Sequence, residues 1–484
     1  MTPPNRSRKH SVVLGAGMAG LLAARVVSDF YETVTIVERD TLPSDPVQRK
    51  GIPQGRHVHA FTSGGSQVLG RLFPGLLDEL VDAGANVWDD GDLSRICFRF
   101  GGYEFKNSGR FADPVASTTY LASRPFLEAH VRRRVRAIDN VLILDGHDVV
   151  EPVADTPARV TGVRAVNRET GDATVLNAQL VIDAMGRGAS TPAFLDSLGY
   201  GRPAEQRSGT RVVYASQLMR ITPDMVTEKL TLAVPGEDQP AGGGILLCEN
   251  DTMVVTVSGI HEHQPPTDLA GMLHTAAQFA PPSVLAALHA GTPLGEVSIY
   301  RYPGSMWRRY DKMHRFPAGL LVFGDAIASF NPSYGQGMTM AALQALALKG
   351  CLARGDADLS RRFFTAAAKQ LDMIWQANRL TGEFAPASGQ RQRRRARSLS
   401  RQLQRRLMNW WMEKIMTAVE NDIAIAETVF RVRNFTDSPN RLQDPRFHAR
   451  VVVTNLRRHR TSLSASGLPR PPRRTRSIAE SPKS

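Results

Sequence analysis

The sequence predicts an α/β fold: a three-layer, dinucleotide-binding domain interleaved with an antiparallel β-sheet domain and followed by C-terminal helices. Three observations carry this expectation. Apolar strands end in glycine turns at HSVVLGAG (10–17), QLVIDAMGRG (179–188) and GLLVFGD (319–325). The stretches between them alternate apolar and polar residues in parts, at the period of strands half-covered by a core. After Met338 the pattern turns helical.

The first glycine turn is the most informative. MAGLLAARVVSDF (18–30) follows with the period and length of a helix, and TVTIVERD (33–40) reads as a second strand. The turn itself is GxGxxG, with Gly15, Gly17 and Gly20. Gly15 permits the tight turn, Gly17 lets a pyrophosphate approach the backbone, and Gly20 lets the helix pack close to the sheet. The helix start adds free N–H groups and a partial positive charge. Glu38 closes the second strand 23 positions after Gly15, where a ribose hydroxyl needs an acceptor, and Arg39 is placed to lie over an adenine. Such a cradle serves FAD and NAD alike.

The third turn separates them. In GLLVFGDAIASFNPSYGQGMTM (319–340), Asp325 ends a strand and can accept from ribityl hydroxyls. Pro332 fixes the chain ahead of a helix opened by Gly335, Gln336 and Gly337, whose free N–H groups suit the N1–C2=O edge of a flavin. The expected cofactor is FAD, held without a covalent bond because no Cys or His stands at an obvious attachment point. The second turn, with Asp183, Gly186 and Gly188, is by itself an ordinary strand-to-turn junction.

Taken in order, GxGxxG…E, an Arg-led helix, DxxG and GD…NPxxGQG resemble the FAD-dependent monooxygenases typified by para-hydroxybenzoate hydroxylase, over about residues 10–350. Within that group RKGIPQGRHVHAFTSGG, LVIDAMGRGAS and FGDAIASFNPSYGQGM look most like the flavin epoxidases of polyether antibiotic pathways. Met185 departs from the Thr usual in that branch, and Ala328 replaces the His of many aromatic hydroxylases. The resemblance implies a Rossmann-like FAD domain with NAD(P)H as transient reductant and O₂ as co-substrate. A flavin C4a-hydroperoxide would then epoxidise or hydroxylate a lipophilic polyene, polyketide or isoprenoid. It implies cofactor contacts for Asp183 and for Arg124, which leads SRPFLEAHVRRRV (123–135); a helix-cap role for Arg124 stands beside that one. The expected FAD-binding parts are 10–90, 121–200 and 306–350, and the substrate-domain parts 91–120 and 201–305. A helical region spans 351–461, with disordered ends at 1–9 and 462–484.

RKGIPQGRHVHAFTSGG (49–65) follows the second strand, where that fold brings a loop to the flavin edge before a helix over about 64–72. His57 and His59, two apart, would face opposite sides of an extended chain, and no carboxylate or Cys stands beside them. No metal site is expected. Arg56 and His59 are the catalytic candidates, Arg49 a candidate for phosphate, and buried structural histidines the plain alternative.

Of 484 residues, 42% are hydrophobic and 22% charged, ordinary for a folded chain long enough for two to four domains or two intertwined ones. The +14 net charge is local. Residues 1–10, 391–406 and 457–484 hold three, eight and eight Lys/Arg against Glu480, leaving the rest near −4. Nucleic-acid binding is therefore a remote reading, and no nucleic-acid partner is expected. Cys97, Cys248 and Cys351 lie far apart, which suits a reducing, cytoplasmic setting. In 391–416, Leu399, Leu403, Leu407, Trp410, Trp411 and Ile415 form one helical stripe against arginines. Packing on the body is the first reading of that stripe, and peripheral membrane contact is the second. A flavin reductase of isoprenoid double bonds is the main functional alternative, and a halogenase is disfavoured by the absence of WxWxIP.

Overall fold

The computed structural model describes residues 6–59, 61–100, 102–208, 211–222, 224–235, 241–260, 263–380 and 399–465. Strand β1 (Arg8–Leu14), helix α1 (Met18–Val27) and strand β2 (Tyr31–Val37) open the chain. A five-stranded parallel sheet runs in the order Leu320–Val322, Leu180–Asp183, β1, β2, Val141–Leu144. Its central strands are covered on both faces, so they read as apolar runs: Val12, Val13, Leu14, Val181 and Ile182 are fully buried. Helices Arg124–Arg136 and Gly337–Leu352 pack beside α1, and three antiparallel strands over 147–177 form the third layer.

Register decides where the glycine turns go. Leu14 aligns with Val37 and with Asp183, and Asp183 aligns with Val322. The turns that follow these residues therefore emerge together at the carboxyl edge of the sheet, where open α/β sheets bind ligands. β1 starts at Arg8, inside the segment expected to be disordered. Arg8 Nε donates to Asp356 Oδ1 at 2.7 Å and the Lys9 N–H to Gln179 Oε1 at 2.7 Å, which holds this end in the sheet.

The second sheet has seven strands in the order Thr292–Tyr302, Val212–Arg220, Thr252–Ile260, Ala241–Cys248, Leu230–Val234, Ile96–Phe100, Tyr103–Glu104. It is not wholly antiparallel as expected: Leu230–Val234 pairs with Ile96–Phe100 in parallel. The chain between those two strands passes through the first domain, and such a long crossover is what a parallel pair requires. Met306–Arg308 leaves this sheet and joins Glu205–Arg207 and Ala328–Ser329 in a small bridge between the domains.

The C-terminal helices Leu399–Val419, Ile423–Arg433 and Pro445–Ala465 close one end of the second sheet. Ile415, Val419, Ile425, Phe430 and Val451 share a core with Trp88, Phe98, Phe111 and Leu121. The expected stripe packs only in part. Ile415 is buried, but Leu407 is 64% and Trp410 51% exposed, because the helix meets the body only near its C-terminal half. Residues 391–398 of the basic segment lie outside the described residues, as do 466–484; the part of the expected tail at 462–465 is helical. Among the described residues no helix is long and apolar enough to cross a membrane.

Candidate functional site

The GxGxxG turn is built on contacts that exclude side chains. Gly15 has φ +95°, and a Cβ on Gly20 would stand 1.8 Å from the Gly15 carbonyl oxygen. α1 starts at Met18 with Gly17 as its N-cap and no side-chain cap, so its first N–H groups stay available to an anion. Glu38 is buried at the end of β2 and reaches the turn: the Ala16 N–H donates to its Oε2 at 2.7 Å and the Asp40 N–H to its Oε1 at 3.1 Å. Arg39 beside it is exposed.

Asp325 follows Gly324, whose position packs against Ala19 of α1 and whose N–H donates to Gln344 Oε1 at 2.8 Å. Among the described residues, the Asp325 carboxylate accepts no hydrogen bond and forms no ion pair. Burial pushes its pKa up, opposed by the charges of Arg124 and Arg187. A Cβ on Gly337 would lie 3.8 Å from Asp325 Oδ1, so the carboxylate faces the start of helix Gly337–Leu352. That helix has no side-chain cap. Gly335 turns through φ +64° to reach it, and Gln336, its N-cap, is buried with Oε1 lacking any hydrogen-bond partner. Pro332 opens the 3₁₀ turn just before, with Asn331 Oδ1 accepting from the Ser333 N–H at 3.0 Å and from the Tyr214 hydroxyl at 2.9 Å.

Arg124 is buried at the first position of its helix, and Nε lies 3.5 Å from Glu128 Oε2 without a hydrogen-bond partner of its own. Its charge is felt at both Asp325 and His59. Ser123, not Arg124, caps this helix, accepting from the Phe126 N–H. Asp183 differs from Asp325. Its Oδ1 accepts from the Met185 N–H at 3.0 Å and its Oδ2 from the Thr191 hydroxyl, so both oxygens help hold the second turn, as those of Glu38 help hold the first.

The loop over 49–59 divides its charges. Arg49 turns inward rather than toward a phosphate: it donates to Glu128 Oε1 (2.8 Å), Asp40 Oδ2 (3.1 Å) and the Ala16 carbonyl (3.0 Å), and lies 3.3 Å from Glu38. Arg56 ends the 3₁₀ turn Pro53–Arg56 and is exposed, reaching Ser298 Oγ at 3.5 Å. His57 and His59 both line one cleft, together with Tyr214, Leu232, Gly243, Gly244, Tyr300 and the Pro332–Gly335 turn. They do not face opposite sides, because the chain bends until His59 Nδ1 donates to the His57 carbonyl at 2.9 Å. That bond leaves Nε2 of His59 as a neutral acceptor. His57 Nδ1 meets Ser216 Oγ at 2.7 Å, and Ser216 meets Thr256 Oγ1 at 2.6 Å. Among the described residues, no three His, Cys, Asp or Glu side chains are grouped to hold a metal ion.

Burial, helped by Arg56, pulls the His57 pKa down to about 4. Burial and the Arg124 charge pull His59 down to about 3, against the hydrogen bond to His57. The unfolded chain takes up these protons near 6.5, so the two neutral rings stabilise the fold above that pH. The contribution is lost as pH falls through the window toward 4 and 3. A melting-temperature series should therefore decline below about pH 6.5, and less steeply in His57→Asn. An unchanged slope in that variant would remove His57 from this account.

The sequence did not reveal Glu128, which joins Arg49 to Arg124, although its i,i+4 spacing from Arg124 and to Arg132 is a readable ion-pair signal. It also did not reveal the cleft walls at Tyr214, Thr256 and Tyr300, or Ser216 behind His57, which reach the loop from strands far along the chain.

No protein-family model matches the chain. It is 36% identical over 465 residues to Protein Rv3254 of Mycobacterium tuberculosis, covering 93% of this chain and 94% of that protein. Among solved structures, the flavin-dependent brominase Bmp2 superposes with a TM-score of 0.62 at 14% identity, covering 94% of this chain and 100% of its own. PqsL, a probable FAD-dependent monooxygenase from Pseudomonas aeruginosa, gives 0.56 at 16% identity, covering 77% of this chain and 94% of its own. The architecture described above is thus the fold shared by flavin-dependent halogenases and monooxygenases.

Proposed function

The chain belongs to the family of Protein Rv3254, and from that premise we propose that it is an FAD-dependent monooxygenase using NAD(P)H and O₂. The observation that carries the reading is the partnerless Asp325 carboxylate facing an uncapped helix start with the orphaned Gln336 Oε1, beside the GxGxxG turn. A folded chain rarely leaves a buried polar atom such as Gln336 Oε1 unsatisfied, and the half-buried Asp325 carboxylate is likewise without a partner among the described residues. Each of these fits one part of FAD: the α1 start and Gly17 the pyrophosphate, Glu38 the ribose, Asp325 and Arg124 the ribityl chain. The helix start at Gly337 fits the flavin's pyrimidine edge.

Bound flavin supplies the electron transfer and oxygen chemistry. The chain's own residues bind, orient and exclude water. The N–H groups at 337–339 stabilise negative charge on the group they face. His57, Tyr214 and Tyr300 give the cleft aromatic walls that suit a lipophilic, unsaturated small molecule, and His59 Nε2 offers it a neutral acceptor. Epoxidation of a carbon–carbon double bond is the reaction we favour, on the resemblance to polyether-pathway epoxidases. The reductase alternative uses the same scaffold without oxygen.

The test is direct. Purified protein should be yellow, should release unmodified FAD on denaturation, and should consume O₂ as it oxidises NAD(P)H in the presence of polyenes. A protein that stays colourless after incubation with FAD refutes the assignment, and substrate-dependent NAD(P)H oxidation without oxygen uptake selects the reductase.

A further inference from the structure

Helix Ile423–Arg433 ends with two arginines that meet opposite fates. Arg431 is paired, 3.0 Å from Asp113 Oδ2 and 3.1 Å from Asp437 Oδ2. Arg433 has no carboxylate within ion-pair distance among the described residues. Its guanidinium lies 4.0 Å over the Phe100 ring and 5.7 Å from the Tyr334 ring. Nη2 is fully enclosed and, among the described residues, has no hydrogen-bond partner, while the side chain as a whole is half-buried. Burial draws its pKa down to about 10, with Tyr334 opposing, and no second cation contributes.

Two favourable terms act on this arginine: the rings beneath it and the helix C-terminus at its root. Neither satisfies the N–H donors. A guanidinium keeps its charge in proteins, and an enclosed donor without an acceptor is costly. The place of the group supplies the missing part. Tyr334 also lines the cleft, in the turn that leads to Gly335 and Gln336. Phe100 sits two residues beyond Phe98, which is paired in register with the cleft residue Leu232. Arg433 is therefore brought to the cleft's flank by the C-terminal helices, with its fork lacking an acceptor.

We propose that Arg433 anchors a carboxylate of the substrate, so that the molecule taken by this cleft is an acidic lipophile with its apolar body against Tyr214, Tyr300 and Leu232. A single guanidinium, its neighbour Arg431 already paired with Asp113 and Asp437, matches one planar, singly charged group, by two parallel N–H···O bonds, better than a phosphate dianion. The inference rests on reading the cleft as the substrate site.

The experiment uses 2-naphthoate and its neutral isostere 2-naphthamide, titrated calorimetrically into the full chain with and without FAD. Bound flavin is read separately from its visible absorbance, so failure to hold FAD and failure to prefer the anion are distinct results. The carboxylate should bind about 10- to 100-fold more tightly than the amide. Arg433→Met, which keeps a side chain over Phe100, should abolish that ratio without changing amide binding, and Arg433→Lys should retain part of it. Melting curves identify a variant that fails to fold, in which case Arg433→Lys alone decides by a reduced ratio. Equal binding of the two probes by the parent, or a ratio unchanged in either variant, overturns the proposal.

Discussion

Gly20→Ala should yield a protein that no longer retains FAD and is destabilised by about 3 kcal/mol or more. The added Cβ would stand 1.8 Å from the Gly15 carbonyl oxygen, inside any contact distance, and 3.6 Å from the Ala184 Cβ. The clashing atom is backbone in a turn held at φ +95°, so it cannot rotate aside as a side chain could. Relief requires α1 to lift from the sheet or the turn to open. The first removes packing from Leu21, Leu22 and Ala24, which are fully buried, and the second dismantles the pyrophosphate seat. Gly188→Ala is the internal control: no atom lies within 4 Å of the place its methyl group would take, and a change within about 0.5 kcal/mol is expected. Denaturant melts and FAD titration of both variants make the comparison. A Gly20→Ala protein that melts with the parent and stays yellow would show that the helix–turn contact is looser than this geometry.

Asp325→Asn should move binding and stability in opposite directions. FAD affinity should fall by about 1.5–3 kcal/mol, roughly 10- to 150-fold in Kd, through loss of charge-assisted hydrogen bonds to ribityl hydroxyls. The FAD-free protein should melt no lower than the parent, and higher at neutral pH. The reason is that Asp325 has no partner among the described residues and burial raises its pKa, so its charge at neutral pH works against folding. That penalty fades as pH drops toward the carboxyl's own titration, and the melting difference between variant and parent should shrink with it. Asp183, whose pKa burial also raises, differs in that its oxygens accept from the Met185 N–H and the Thr191 hydroxyl, so replacing it removes bonds that hold the second turn. If Asp325→Asn lowers the melting temperature and leaves Kd alone, the carboxylate is a scaffold element and the flavin lies elsewhere.

The loop over 49–59 shows how far local pattern reaches. Arg49, Lys50, Arg56, His57 and His59 look alike in sequence as polar groups near a cofactor. The fold separates them by short backbone events: a 3₁₀ turn over Pro53–Arg56 sends Arg56 outward, and the bend at His59 brings both rings to one cleft. Arg49 is drawn inward because three carboxylates, Glu38, Asp40 and Glu128, converge on it. Glu38 and Asp40 stand close to it along the chain, but Glu128 arrives from another helix. The same limit applies to the apolar stripe from Leu399 to Ile415, where period alone does not say which part of the helix meets the body.

Residue pattern was enough to specify the parallel sheet, the three glycine turns and the positions of Gly15, Gly17, Gly20, Glu38 and Asp325 at its carboxyl edge. These follow from local requirements: a positive φ, a forbidden Cβ, an apolar strand of set length, and a register imposed by strands buried on both faces. Folding in three dimensions was needed to settle the parallel junction in the second sheet, the turn-holding bonds of Asp183, the shared cleft of His57 and His59, and the unpaired fork of Arg433. Each depends on groups brought together from separate elements, or on which competing donor reaches an acceptor first. Such meetings are set by packing of whole elements, and no short period in the sequence records them.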